Sequence, residues 1–295
     1  MPRPNVLIEK LAERVERASS LDPVAAKVGA LAQQLGPGRV KDALSGTAAG
    51  HPVHPVLVTV PLGAWVTASV LDLAGERDAA RRSVGFGVLA ALPAVATGLS
   101  DWAETSGAEQ RVGLVHAAVN DTGIAIYAAS WLARHRDRHG LGAVLSAVGL
   151  AVVSVGGWLG GHLTYAQGVG VDTTAFQQYP DEWRDVAALV DLAEGTPTQL
   201  DGDGVPLVAV RRGDDVAVLA DRCTHRGAPL HEGPVVDGCL ECPWHGSRFD
   251  LSDGSVVRGP ATRPQPVVEV RVVAGRVQVR RADEPRSLRT NPVGV

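Results

Sequence analysis

The chain is 295 residues long, enough for about two domains, and holds 28 Lys and Arg against 32 Asp and Glu. Its net charge of -4 excludes the broad basic surface that nucleic-acid binding needs. The three cysteines, Cys223, Cys239 and Cys242, lie close together near the end of the chain, which excludes a disulfide framework and suggests metal chemistry instead.

Residues 1–50 read as an amphipathic helical segment. Leu7, Leu11, Val15 and Ala18 recur at helical spacing, with Glu9, Lys10, Glu13 and Arg14 between them. The pattern suits a soluble helix, and also one lying on a membrane surface. The opening Met1-Pro2-Arg3-Pro4 and the charges after it do not form a secretory signal.

Residues 51–171 read as an all-α transmembrane bundle of four helices. Apolar runs cover 56–73, 83–99, 112–133 and 141–163, each of roughly the length that crosses a ~30 Å bilayer core. The second is the shortest and contains Pro93, which neighbouring helices can accommodate. Apolar residues run right round these segments, which argues against a soluble bundle with one apolar stripe. The fourth run is rich in small residues, among them Gly149, Gly156, Gly157, Gly160 and Gly161, which allow close helix packing in lipid.

Arg77, Arg81 and Arg82 follow the first run, and Arg134, Arg136 and Arg138 follow the third. The loop between the second and third is acidic, with Asp101, Glu104 and Glu109. With four spans, the positive-inside rule puts the arginine loops in the cytoplasm and the C-terminal part outside. The lack of an export signal argues the other way, for a cytoplasmic C-terminal part, and the two arguments oppose each other.

The same topology gathers His51, His54, His116 and His162 at one membrane face. His116 and Asn120 share a helix face, with Asp121 beside them. Ionisable residues inside spans are usually functional. Three readings fit: haem b held by two histidines, a quinone or proton-linked site, or histidines bonded to backbone carbonyls. No Cys-x-x-Cys-His occurs, so covalent c-type haem is excluded, and the one Met is Met1, so Met ligation is not expected.

Residues 172–198 read as a linker, and 199–282 as an all-β domain. Val-rich strands are expected at 207–210, 216–220, 267–273 and 277–280, with turns at Gly213-Asp214, Asp253-Gly254 and Ala274-Gly275. Residues 283–295 read as a tail.

Cys223-Thr224-His225 is followed, after sixteen residues, by Cys242-Pro243-Trp244-His245. Each pair mixes a thiolate with an imidazole. A [2Fe–2S] centre with two sulfurs on one iron and two imidazoles on the other needs that set; zinc also accepts Cys₂His₂, but its fingers pair Cys with Cys and His with His. The stretches CTHRGAPL (Cys223 to Leu230) and CPWHGSRFD (Cys242 to Asp250) resemble the Rieske family, over about residues 180–282. The resemblance implies a β-sandwich-like core with the cluster at its tip, ligands Cys223, His225, Cys242 and His245, and exposed His225 and His245 edges where electrons pass.

Departures from the family pattern are informative. Quinol-oxidising members carry a disulfide between the two loops, where this chain has Ala228 and Trp244. They also place a Tyr after the cluster-bonding Ser; here Ser247 is present and Phe249 replaces the Tyr. A missing donor stabilises the reduced cluster less, so a lower, ferredoxin-type potential is expected. Cys239 matches no ligand position.

His51 to Asp72, with Gly161-His162-Leu163 and Gly168 to Asp172, resembles an uncharacterised family of four-helix predicted membrane proteins, over roughly residues 1–172. The combined expectation is a membrane-anchored Rieske protein that transfers one electron, as an electron-transfer protein or an oxidoreductase component. Its expected partners are a redox protein or quinone and membrane lipid, with a homo-oligomer left open. A quinol-oxidising or haem-b-containing subunit and a redox sensor are the alternatives. A Rieske oxygenase is not expected, because no segment is long enough for a mononuclear-iron domain.

Overall fold

The computed structural model describes residues 4–282; the tail from residue 283 lies outside them. The chain divides into two units. The first comprises the chain up to Leu35 and Val53–Val169; the second comprises Gly36–Pro52 and the chain from Gly170.

The first unit is helical: α1 (Pro4–Glu16), α2 (Asp22–Ala32), α4 (His54–Leu57), α5 (Thr59–Leu73), α6 (Arg77–Trp102), α7 (Gly107–His135) and α8 (His139–Tyr165). A short α3 (Arg39–Ser45) belongs to the second unit. The single amphipathic helix expected at the N-terminus is broken after Glu16 by a 3-10 turn at Ser19–Leu21, and α2 restarts with Pro23 in its first turn, where a missing N–H costs nothing. The buried stripe also differs from the leucine stripe. Ala12, Ala25, Gly29 and Ala32 turn inward while Leu11 is half exposed, because small residues let these helices lie close to their neighbours.

Trp65 of α5 stacks on Tyr127 of α7 at 4.1 Å, and Ala68, Val84, Ala91 and Val153 complete the core. Gly87 and Gly149 make room for this pair: a methyl at Gly87 would lie 2.4 Å from the Trp65 ring nitrogen, and one at Gly149 would lie 3.0 Å from the Tyr127 ring. The outward surface is apolar, with Phe86, Leu89, Leu92, Val144 and Val155 exposed. That is the reverse of a soluble bundle and suits lipid.

Among the described residues, three helical segments are long and apolar enough to cross a membrane: His54–Leu73, Arg77–Trp102 and His139–Tyr165. The expectation was four. The third run does form a helix, α7, but His116, Asn120 and Asp121 interrupt its apolar middle, and it joins the bundle mainly along α8.

Among the described residues, the second unit holds ten strands in three antiparallel sheets. β1 (Arg184–Ala188), β10 (Arg276–Arg281) and β9 (Val268–Val273) form one; β2 (Thr198–Asp201), β3 (Pro206–Arg212) and β4 (Asp215–Ala220) form another. The third runs β5 (Val235–Val236), β6 (Cys239–Glu241), β7 (Arg248–Asp250) and β8 (Val256–Arg258). β3 explains the continuous apolar run at 207–210. Leu207 and Ala209 enter one core and Val208 and Val210 the other, since alternate side chains of a strand point to opposite faces. The stretch expected to be a linker, 172–198, contributes strand β1, which pairs with β10 in the register Arg184↔Val279.

Candidate metal centre

Two loops rise from the same core. The first leaves β4 and carries Cys223 and His225; the second joins β6 to β7 and carries Cys242 and His245. Each is closed by the same device. Gly227 N–H donates to Cys223 O at 2.8 Å, and Gly246 N–H donates to Cys242 O at 3.0 Å. Both glycines have positive φ, +76° and +72°, where a side chain would be strained. Returning bonds, Cys223 N to Ala228 O at 2.9 Å and Cys242 N to Ser247 O at 2.7 Å, fix the cysteines.

The loops pair the motif residues like with like, cysteine beside cysteine and histidine beside histidine. Cys223 and Cys242 are buried and not in a disulfide. The Cys242 side chain and burial both push the Cys223 thiol up, which marks two thiols crowded into one place. The His225 and His245 rings meet edge to face at 5.1 Å. The buried Nδ1 of His225 takes no hydrogen bond, and Nδ1 of His245 is buried too. A buried imidazole nitrogen without a partner costs free energy, and a metal ion would relieve it. Burial, then His245, Arg226 and Lys41, pushes His225 down to about 3, so its imidazole is neutral, the form that ligates iron. Among the described residues, no three His, Cys, Asp or Glu side chains close on one point. A two-iron cluster asks for two protein ligands on each iron, so this donor set fits it better than one zinc ion.

The surroundings hold the loops still. Ser247 is fully buried; its Oγ accepts from Ala261 N at 2.9 Å, which leaves its own O–H to donate. Phe249 is packed in the core beneath, and Trp244 is exposed with its ring edge-on to His245. Arg258 donates twice to Gly246 O, at 2.9 and 2.6 Å, and also pairs with Glu241. Cys239 lies on β6, buried, with its thiol raised mainly by burial.

Three supports escaped the motif reading. Gln265, 1 % exposed, donates to Ala220 O and Arg222 O and accepts from Thr224 N, bracing the first loop. Only its one-residue position under the loop marks it, and no sequence signal did. Thr173 Oγ1 donates to Cys223 O at 2.8 Å, so the supposed linker also braces the centre. The third is α3 with its flanks. Asp42 Oδ1 accepts from Gly259 N at 2.9 Å, a methyl at Gly259 would strike Thr47, and one at Gly246 would meet Pro37. Lys41, 6 % exposed, is one of the charges acting on His225. His225 and His245 are therefore half-buried rather than fully open at their edges.

Gln265→Ala would leave two carbonyls and one N–H of the first loop unpaired, each worth about 1–3 kcal/mol when buried. The expected result is a cluster that bleaches faster on warming, read as loss of visible absorbance against the parent protein.

The histidines of the helical half do not gather as four. His51 is exposed and belongs to the second unit. His162 Nε2 is held by Glu16 Oε1 at 2.8 Å. Asp121 faces outward. His54 and His116 remain, each bonded through Nδ1 to a helix carbonyl.

Comparison with known proteins matches both halves. Residues 182–274 match the family model described as Rieske [2Fe-2S] domain. Residues 50–173 match that described as predicted membrane protein (DUF2231). The anthranilate 1,2-dioxygenase ferredoxin subunit of Burkholderia cepacia is 36% identical over 98 residues, 33% of this chain and 91% of that protein. Ferredoxin CarAc of Metapseudomonas resinovorans is 38% identical over 98 residues, 33% of this chain and 92% of that one. The cytochrome b6-f complex iron-sulfur subunit 3 of Nostoc sp. is 49% identical, but over 55 residues, 19% of this chain and 30% of that protein.

Proposed function

The chain belongs to the Rieske [2Fe–2S] family, with an electron-transfer domain of the ferredoxin type attached to a predicted membrane domain, and on that premise we propose that it is a membrane-tethered one-electron carrier. Cys223, His225, Cys242 and His245 would hold the cluster, two thiolates and two imidazoles being the donor set that it takes. The observation that supports this reading is the edge-to-face meeting of the His225 and His245 rings on two glycine-closed loops that also carry the paired Cys223 and Cys242. When bound, the cluster supplies a reversible one-electron couple.

The protein's own groups set the terms of that couple. The Ser247 O–H, whose oxygen already accepts from Ala261 N, would be free to donate to the cluster and so favour its reduced, more negative state. Phe249 offers no second donor, and the loops lack a disulfide. Both features favour a low, ferredoxin-like potential. Trp244, exposed beside His245, is part of the surface a partner meets. Its relatives' ferredoxins serve dioxygenases, so the partner class favoured is a soluble or membrane-bound oxidoreductase. A cytoplasmic Rieske domain goes with this reading, because thiols persist reduced there.

EPR-monitored potentiometry on the detergent-purified full chain tests the reading. A potential clearly below zero, with electrons passed on to an acceptor, supports it. A clearly positive potential would replace it with quinol oxidation, the alternative that the short match to the cytochrome subunit favours. A cluster that never turns over with any donor would replace it with a redox sensor.

Lys41 offers a finer check. Its buried ammonium beside the His225 loop stabilises added negative charge. Lys41→Met is expected to move the midpoint negative by about 1 kcal/mol, or roughly 40 mV for one electron, while Lys41→Arg leaves it near the parent value. Equal midpoints in all three proteins would remove Lys41 from this role.

A further inference from the structure

The helical unit repeats one small arrangement twice. His54, at the start of α4, donates from Nδ1 to Ala94 O of α6 at 2.9 Å, and its ring lies over Gly98, where a methyl would come within 2.7 Å of Cε1. His116 of α7 donates from Nδ1 to Gly156 O of α8 at 2.9 Å, and its ring lies over Gly160, where a methyl would come within 3.1 Å of Cε1. In each case an imidazole reaches a helix carbonyl, and the residue four positions on is glycine. A side chain there leans toward the helix N-terminus and would cover that carbonyl.

A carbonyl oxygen only accepts, so both Nδ1 atoms carry the proton and both Nε2 atoms carry a lone pair. Among the described residues none bonds Nε2 of His54. The Asn120 amide stands 3.4 Å from both ring nitrogens of His116 and donates to His116 O at 2.8 Å. A point equidistant from the two nitrogens lies off Cε1 or over the ring, in the direction of neither lone pair. The acceptor Ala94 lies eight residues before the end of α6 and His116 nine residues after the start of α7, and α6 packs on α7, so both histidines sit toward the same end of the helical unit. An imidazole whose Nδ1–H is fixed by a carbonyl is oriented to bind a metal through Nε2.

We propose that His54 and His116 are the two axial ligands of a haem b held within the helical unit. The donor count selects haem over a bare ion. No third His, Cys, Asp or Glu joins them among the described residues, so a bare ion would have two protein ligands. Haem iron arrives with four nitrogens of its own and needs two more. Its apolar rim also suits helices whose outer surface is apolar. His162, paired with Glu16 and stacked on Trp158, is outside the ligand set. This centre is separate from the [2Fe–2S] cluster, and either assignment can fail without the other.

The test is a pyridine haemochrome assay and a reduced-minus-oxidised spectrum of the full chain, purified in detergent from cells supplied with a haem precursor. About one haem b per chain with a low-spin, two-imidazole spectrum is expected. His54→Ala and His116→Ala should each lose it, and His162→Ala should keep it, all three retaining the cluster's EPR signal. If the alanine variants lose the cluster too, His116→Gly is measured with and without added imidazole. A low-spin spectrum restored by imidazole supports the proposal, and no response to it counts against. Parent protein with a full cluster but no haem overturns the proposal, as does haem retained in both the His54 and His116 variants. A stoichiometric non-haem metal released by both substitutions also overturns it.

Discussion

His225→Cys and His245→Cys are each expected to lower the midpoint potential by on the order of 250 mV or more in whatever protein keeps a cluster. Each exchange puts an anionic thiolate where a neutral imidazole stood. The extra negative charge makes adding an electron less favourable and brings the second iron toward the all-thiolate type. The loops have room to test this, because both rings lie at the half-buried edge of the centre and not within its core. Cys223→Ser and Cys242→Ser differ in kind. Those residues are packed among Val208, Leu230, Leu240 and Phe249, and a weaker oxygen donor there cannot draw on solvent. Iron content is expected to fall by roughly tenfold or more, beyond the usual loss on removing an outer hydrogen bond. Iron analysis and EPR potentiometry on all four variants make the check. An unchanged signal and potential in both histidine variants would take those residues out of the ligand set.

Asp72→Ala is expected to destabilise the helical unit by about 3–5 kcal/mol, the usual cost of leaving one member of a buried ion pair alone. Arg134 has no exposed side-chain surface, and its guanidinium meets Asp72 through two parallel bonds of 2.5 Å. The same guanidinium donates to Ser130 Oγ and Ser146 Oγ at 3.2 Å, and Ser130 Oγ donates to Gly142 O at 2.6 Å. One buried cation thus ties α5, α7 and α8 together. Glycine at 142 is required, since a methyl there would lie 2.4 Å from the Arg134 side chain. Arg134→Met with Asp72→Leu removes both charges and should cost much less than Asp72→Ala. Thermal unfolding in detergent, followed by circular dichroism, reads the difference. Equal losses in the single and double variants would mean that packing, not the charge pair, holds the helices.

The legible parts of this molecule were those with a period or a fixed spacing. The long apolar runs became α5 to α8, and the Val-rich runs became β3, β4, β9 and β10. The two Cys–His pairs stood out because mixed pairs at such spacing suit few metals besides a two-iron cluster. Strands β5 to β8 were not legible, since two or three residues carry no alternation to detect. β1 was hidden in a polar stretch whose partner, β10, lies about ninety positions on, as in the pairing of Asp185 with Gln278. In the N-terminal segment Leu11 of the expected stripe is half exposed while Ala12 beside it is buried, because a small residue allows close helix approach. α7 is apolar on average, and His116, Asn120 and Asp121 in its middle set it apart from the three more apolar helical segments. The role of Lys41 and Asp42 beside the cluster loops was beyond reach, because nothing local in 36–52 refers to residues more than two hundred positions away.

The most direct test of a cluster held by two cysteines and two histidines is pulsed EPR on the dithionite-reduced full-length protein with isotope-labelled histidine nitrogens. Two distinct nitrogen couplings to a reduced [2Fe–2S] spin, one lost or altered in each of His225→Cys and His245→Cys, is the predicted result. A reduced cluster with no histidine nitrogen coupled to it, or a protein that binds zinc and no iron at Cys223 and Cys242, would contradict it.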